Sequence, residues 1–192
     1  MTSALVLLGY LAGSIPFGVL LTRWLRGVDV RTGGSGNIGA TNVTRVAGKK
    51  LGAVVLLLDA IKGALPVVLA VRLLPDAPTV HVAVGLAAVL GHIYPVWLKL
   101  QGGKGVATAL GVLLVLVPQA ALAAALVYVA VFAVSRVSSL GSLAAGATAV
   151  GTSALTARAV EYAGLSALLF ALMLWTHRGN ILRLARRTER RF

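Results

Sequence analysis

The chain has 192 residues, of which 58% are hydrophobic and only 12% charged, roughly half the charge of an ordinary soluble domain. Five acids and eighteen Lys and Arg residues cannot cover a soluble globule of this size, and disorder requires low hydrophobicity, so both are excluded in favour of a polytopic membrane protein. The net charge of +13 does not point to nucleic acid, because the basic residues stand between long apolar runs, where they serve as topology signals and anion contacts.

The first apolar run covers residues 4–22. No positive charge precedes it in Met1-Thr2-Ser3, so it reads as a retained spanning helix rather than a cleaved signal. A polar stretch follows, Arg31-Thr-Gly-Gly-Ser-Gly-Asn-Ile-Gly-Ala-Thr-Asn-Val-Thr-Arg45. Its glycines let a ligand approach the backbone closely. Ser35, Asn37, Thr41 and Asn42 offer hydroxyls and amides, and Arg45, Lys49 and Lys50 add cations. That mixture suits an oxyanion, phosphate above all. The stretch also contains G-x-G-x-x-G at 34–39, with Asp59 twenty residues beyond Gly39. The dinucleotide reading fails on context: a membrane span and a basic turn precede it, not a strand, and Asp59 lies inside an apolar helix.

Apolar runs at 51–74 and 79–98 are each long enough to span. Asp59 and Lys62 lie three apart within the first of them and are expected to form a structural ion pair supporting the polar site, since ionisable groups at membrane depth are costly and usually paired. The second polar cluster runs from Gly91 to Thr108. Gly102, Gly103, Lys104 and Gly105 open an apolar helix there. A lysine at a helix N-terminus opposes the macrodipole unless an anion sits with it, which makes Lys104 a phosphate candidate. The loop lacks the Walker spacing. His92, beside Tyr94 and Pro95, reads as a structural residue.

The run at 105–117 has thirteen residues, a rise of about 20 Å against about 30 Å of hydrocarbon. It is either a short helix buried among others or a re-entrant one, and Pro118 breaks it from the next. Runs at 119–134, 139–157 and 160–176 complete a count of seven, with six as the alternative. The small residues of 141–153, including the Ser142 and Gly146 pair, predict close helix packing. Ser138, Ser139 and Ser142 form a lesser polar candidate. The third cluster is Thr176-His177-Arg178-Gly179-Asn180, where a helix would put His177 and Asn180 on one face. A basic tail covers about 178–192, and residues 1–192 read as a single integral membrane domain.

With seven spans, fifteen of the eighteen Lys and Arg fall on one side, only Arg72 and Arg158 on the other, and Lys62 within a span. The positive-inside rule then predicts an all-α protein with an outside N-terminus and a cytoplasmic C-terminus. All three dense clusters lie on the cytoplasmic side. There is no cysteine, hence no thiolate nucleophile or disulfide. Three scattered His and few acids make a poor metal site, and no metal or cofactor is expected. Neither G-x-S-x-G nor H-E-x-x-H occurs, and the acids are too few for a Ser-His-Asp triad. The competing class, a small-anion transporter or channel, requires polar groups through the full membrane depth. Here, Asp59 and Lys62 aside, they crowd one face.

Several segments, in this order and spacing, resemble the bacterial membrane family of acyl-phosphate:glycerol-3-phosphate acyltransferases: Gly13-Ser-Ile-Pro-Phe-Gly18, Gly34-Ser-Gly-Asn-Ile-Gly-Ala-Thr-Asn-Val43, Asp59-Ala-Ile-Lys-Gly63, Gly91-His-Ile-Tyr-Pro95, Gly102-Gly-Lys-Gly-Val-Ala-Thr108 and His177-Arg-x-Asn180. The resemblance implies a seven-span enzyme of the bacterial inner membrane that moves an acyl group from acyl phosphate to the 1-hydroxyl of sn-glycerol 3-phosphate, giving lysophosphatidic acid and phosphate. Its partners would be those two substrates and membrane lipid, with no nucleic acid and no required oligomer. No covalent intermediate is implied, because the donor is already activated. Ser35, Asn37, Lys104 and His177 are the expected catalytic residues. Arg45, Asn180, Ser142, Gly102, Gly103, Thr41 and Asn42 are expected to bind substrate. For His177 a hydrogen-bonding role is preferred over that of general base.

Overall fold

A computed structural model describes residues 1–192, and it is all helical. The expected first span is not continuous. It is split into α1 (Thr2–Ser14) and α2 (Phe17–Arg26). Pro16 has no N–H to donate, and the residue before a proline is pushed out of the helical region. Ile15 accordingly is extended, with φ −62° and ψ 115°. Its carbonyl accepts a hydrogen bond from Lys62 Nζ at 2.7 Å. The polar stretch 31–45 is likewise only half loop. A 3-10 turn, Val30–Thr32, opens it, and Ala40–Ala47 form the short helix α3.

The long helix α4 (Lys49–Leu73) passes Asp59 and Lys62 through its middle. Then come α5 (Pro78–Ile93), a 3-10 turn at Val96–Leu98, and α6 (Val106–Leu116). The last group is α7 (Pro118–Ser135), α8 (Ser138–Thr156), α9 (Val160–Thr176) and α10 (Arg178–Ala185). Four segments are long and apolar enough to cross a membrane: Thr2–Arg26 taken across its break, Lys49–Leu73, Pro78–Leu98 and Pro118–Ser135. The pair α9 and α10, bent by 63°, makes a fifth. Helix α6 has 11 residues, well short of the twenty or so a span needs. It buries Thr108, Ala109, Gly111, Val112, Leu113 and Leu116 against neighbouring helices and exposes Leu114. Its closest approach is to α4, where a Cβ on Gly111 would fall 1.9 Å from the carbonyl oxygen of Ala60.

One buried apolar cluster joins Leu5 of α1, Val67 of α4, Val84 of α5, Val112 of α6, Ala120 of α7, Ala149 of α8 and Leu165 of α9. Much of the outer surface is apolar as well: Leu57, Leu65, Leu126, Val134 and Leu155 all point outward. That surface suits lipid, and helices in lipid associate through the close packing small residues allow. The polar clusters gather where α3, the loop before α6, the start of α8 and the α9–α10 bend meet. Four contacts tie them together there: Arg190 to Gly34 O, Thr41 to Ser138, Lys104 to Asn180, and Glu189 to Ser139.

Candidate active site

The 28–39 loop is held from inside by two side chains. The Asp29 carboxylate accepts hydrogen bonds from the Arg31 and Arg23 guanidinium groups, at 2.7 and 2.6 Å. These bonds, Arg31's first, hold its pKa far below the usual carboxylate range. Asn42, at the start of α3 and 1% exposed, turns its amide onto the loop. Its Oδ1 accepts from Ser35 N at 2.7 Å, and its Nδ2 reaches the carbonyls of Val30, Gly33 and Asn37. The structure therefore places Asn42 as the loop's scaffold, buried and with both N–H donors committed to loop carbonyls. Asn37 Oδ1 accepts from Gly39 N at 2.8 Å, at the N-terminus of α3, which leaves the Asn37 NH₂ group free. Ser35 is exposed and its hydroxyl has no protein partner. Thr41 is turned toward α8, with Oγ1 3.0 Å from Ser138 Oγ, which in turn meets the Tyr128 hydroxyl at 3.0 Å.

Arg45 is half-buried on α3. Its guanidinium lies over the Phe192 ring, 4.4 Å from the centroid, and makes no hydrogen bond. Burial, and then the charge of Arg190, lower its pKa, yet a guanidinium stays charged in proteins. A planar fork with every N–H donor unpaired, stacked on an aromatic face, is poised for a bidentate oxyanion.

Lys104 precedes α6. Its Nζ donates to Asn180 Oδ1, and its carbonyl accepts from Thr176 Oγ1 at 3.2 Å. Burial lowers its pKa to about 8, opposed by Glu189 and reinforced by the charges of Arg183 and Arg45. The two glycines before it differ from expectation. The N–H groups of Gly102 and Gly103 donate to Ile93 O and His92 O, each at 3.0 Å. They are spent on the turn and are not aimed at a phosphate.

Asn180 is buried in the first turn of α10 and fixed in one orientation. Its Oδ1 faces a lysine and its Nδ2 donates to Glu189 Oε1 at 2.6 Å. Glu189 also accepts from Ser139 Oγ at 3.0 Å and Arg183 Nε at 2.7 Å. Burial raises the Glu189 pKa, but the bonds from Asn180, Arg183 and Ser139 outweigh it and hold the carboxyl below its usual value. Sequence reasoning missed this residue. The one available signal was a single acid amid the arginines of the tail. Ser142 is buried on α8 and donates back to Ser138 O at 3.0 Å.

His177 sits at the α9–α10 bend, 2% exposed. Its Nδ1 lies 2.9 Å from Met173 O. A carbonyl only accepts, so Nδ1 carries the proton and Nε2 keeps a free lone pair in the neutral ring. Burial, then the Lys104 charge, lower its pKa to about 4. It is thus a neutral hydrogen-bond acceptor at physiological pH and a weak base.

The assembled site offers an exposed hydroxyl, a free amide, an unpaired guanidinium, a half-buried ammonium and an imidazole lone pair. It can hold phosphate groups and accept a hydrogen bond from an alcohol. Comparison with known proteins gives the family of the chain. The family model described as glycerol-3-phosphate acyltransferase matches residues 3–187. A glycerol-3-phosphate acyltransferase of Anaeromyxobacter sp. (strain Fw109-5) is 54% identical over 193 residues, covering 97% of this chain and 94% of its own. The crystal structure of PlsY (YgiH), an integral membrane glycerol 3-phosphate acyltransferase, in its glycerol 3-phosphate form, superposes with a TM-score of 0.95 at 43% identity, covering 100% of this chain and 95% of the other. The lysophosphatidic acid form of that protein matches with a TM-score of 0.93, at the same identity and coverage. The chain belongs to the glycerol-3-phosphate acyltransferase family.

Proposed function

We propose that this member of the glycerol-3-phosphate acyltransferase family transfers an acyl group from acyl phosphate to the 1-hydroxyl of sn-glycerol 3-phosphate at the cytoplasmic face of the bacterial inner membrane. All 192 residues form one membrane domain. The observation that carries this reading is the pair of unlike cations at one apolar–polar boundary, the unpaired Arg45 fork and the Lys104 ammonium. One cation serves each phosphate-bearing substrate. Arg45 grips glycerol 3-phosphate, and Lys104 neutralises the donor phosphate, with Asn180 orienting the lysine. Ser35 and the Asn37 amide donate to phosphate or to the developing carbonyl oxyanion. Ser142, Thr41, Gly102 and Gly103 shape the site through the hydrogen bonds described above.

The glycerol oxygen attacks the acyl carbon and forms the new ester bond. The carbon–oxygen bond to the donor phosphate breaks, and inorganic phosphate leaves with the electron pair. His177 Nε2 accepts a hydrogen bond from the attacking hydroxyl and so orients it. A ring with a pKa of about 4 holds a proton poorly near neutrality, so the hydroxyl proton passes to the departing phosphate, a stronger base. No residue of the chain is acylated.

Purified protein supplied with acyl phosphate and glycerol 3-phosphate should yield lysophosphatidic acid and inorganic phosphate in equal amounts, and no product without either substrate. Acyl-coenzyme A in place of acyl phosphate should turn over at least about a hundredfold more slowly. The chain has no domain outside its helical membrane body to grip the nucleotide, and remote binding contacts are what drive such donors through the transition state. Comparable rates with both donors would remove acyl phosphate from the reading.

The membrane arrangement that goes with this reading is seven crossings with the N-terminus outside, in which α6, shorter than a full span, crosses together with α8 and α9. Fifteen basic residues on one side against two on the other is the pattern of the positive-inside rule. In the otherwise cysteine-free chain, single cysteines at Thr79 and Lys99 should react with an impermeant thiol reagent from opposite sides of the membrane. Labelling from the same side would overturn the topology.

A further inference from the structure

Asp59 and Lys62 of α4 and His92 of α5 are each no more than 4% exposed, and no step of the reaction above uses them. Lys62 Nζ lies 2.7 Å from Asp59 Oδ1 and donates to Ile15 O at the α1–α2 break. His92 Nδ1 stands 3.7 Å from the same carboxylate oxygen. The other edge of the imidazole meets the loop before α6: a Cβ on Gly103 would fall 2.1 Å from His92 Nε2. The backbone locks the same place, because Gly103 N and Gly102 N donate to the carbonyls of His92 and Ile93. Buried polar groups therefore line up from Ile15 through Lys62 and Asp59 to His92, whose Nδ1 faces the carboxylate without a hydrogen bond and whose ring packs on Gly103, and the next residue is Lys104.

Stability does not call for such an array. Ionisable groups at membrane depth are costly, and well-packed apolar replacements of a buried ion pair are often neutral or stabilising. What the array does provide is fixed geometry. It ties the α1–α2 break, α4 and α5 to the one turn that carries the Lys104 ammonium, and a displacement of about 1 Å in such a group can cost a hundredfold in rate.

We propose that Asp59, Lys62 and His92 are positioning residues for Lys104: they fix the Gly102–Gly103 turn so that the ammonium stands beside the leaving phosphate. The inference rests on the role assigned to Lys104 above. A double-mutant cycle tests it, with residual turnover followed by radiolabelled glycerol 3-phosphate. In the enzyme with Lys104 intact, His92→Ala and Asp59→Asn should each lower kcat by ~30-fold and leave KM for glycerol 3-phosphate within ~3-fold. In the Lys104→Ala enzyme the same changes should cost less than ~3-fold, because the group they position is gone. Losses that multiply in the double variants, an effect on KM alone, or no effect at all would overturn the network's role. A Lys104→Ala enzyme of full activity would instead overturn the role of Lys104, so the two failures are distinguishable. Gly103→Ala presses on the imidazole from the loop side with all three buried residues intact. It should show the same non-additive loss, and it decides the question if the buried variants do not fold.

Discussion

Lys104→Ala is expected to lower kcat by a hundredfold or more, with KM for glycerol 3-phosphate nearly unchanged. The ammonium is half-buried and held by Asn180 Oδ1, so it is already oriented before the reaction begins. Negative charge grows on the donor phosphate as its bond to the acyl carbon breaks, so the interaction is stronger in the transition state than in the bound substrate and acts on turnover. A single preorganised electrostatic contact of this kind is worth about 2.7–4 kcal/mol, or about 10²–10³ in rate. The same group sets a pH dependence. Its pKa is lowered to about 8, so the charged form dominates below that pH and is lost above it. kcat/KM should therefore fall as pH rises through about 8. His177, with its pKa near 4, contributes no limb between pH 6 and 8. Lys104→Arg keeps its charge throughout, and the turnover it retains should lack the alkaline limb. A wild-type profile flat to pH 10, or near-full activity of Lys104→Ala in folded protein, would remove this residue from the chemistry.

The second large effect is expected at Arg45, on binding rather than turnover. Its fork has no hydrogen-bond partner within the protein and is braced by the Phe192 ring. Each charge-assisted hydrogen bond it gives to phosphate is worth about 1.5–3 kcal/mol, so Arg45→Ala should raise KM for glycerol 3-phosphate by about a hundredfold and change kcat little. Arg45→Lys should recover only part of the loss, because a point charge cannot reproduce two parallel N–H bonds. The measurement is a glycerol 3-phosphate titration at saturating acyl phosphate. An unchanged KM in Arg45→Ala would mean that the substrate phosphate sits elsewhere.

The sequence by itself determined the class of the protein and the chemistry it can carry. Apolar runs with little charge leave lipid as the only solvent for such a surface, backbone groups in lipid must pair within helices or closed barrels, and continuous apolar runs of about twenty residues select helices. Pro118 marked a break because a proline N–H is missing wherever proline stands, whereas Pro16 carries the same signal inside the 4–22 run, which reads as one span, and only the fold showed the split. The glycine, hydroxyl, amide and cation mixtures around Ser35, Lys104 and His177 are the residue types that suit oxyanions, and they were legible without the fold.

Tertiary structure decided how each polar group is spent. Lys104 and Asn180 are 76 residues apart, and Thr41 and Ser138 97 apart, and no local rule selects such partners. Asn42 looked like a ligand for substrate, yet packing against the 28–39 loop committed both its N–H donors there. The N–H groups of Gly102 and Gly103 were likewise claimed by the end of α5, and Glu189 folded back from the tail to orient Asn180. A residue's type fixes which hydrogen bonds it can make, but burial forces each donor and acceptor to be paired with whatever the fold brings within about 3 Å, and only the packed helices determine what that is.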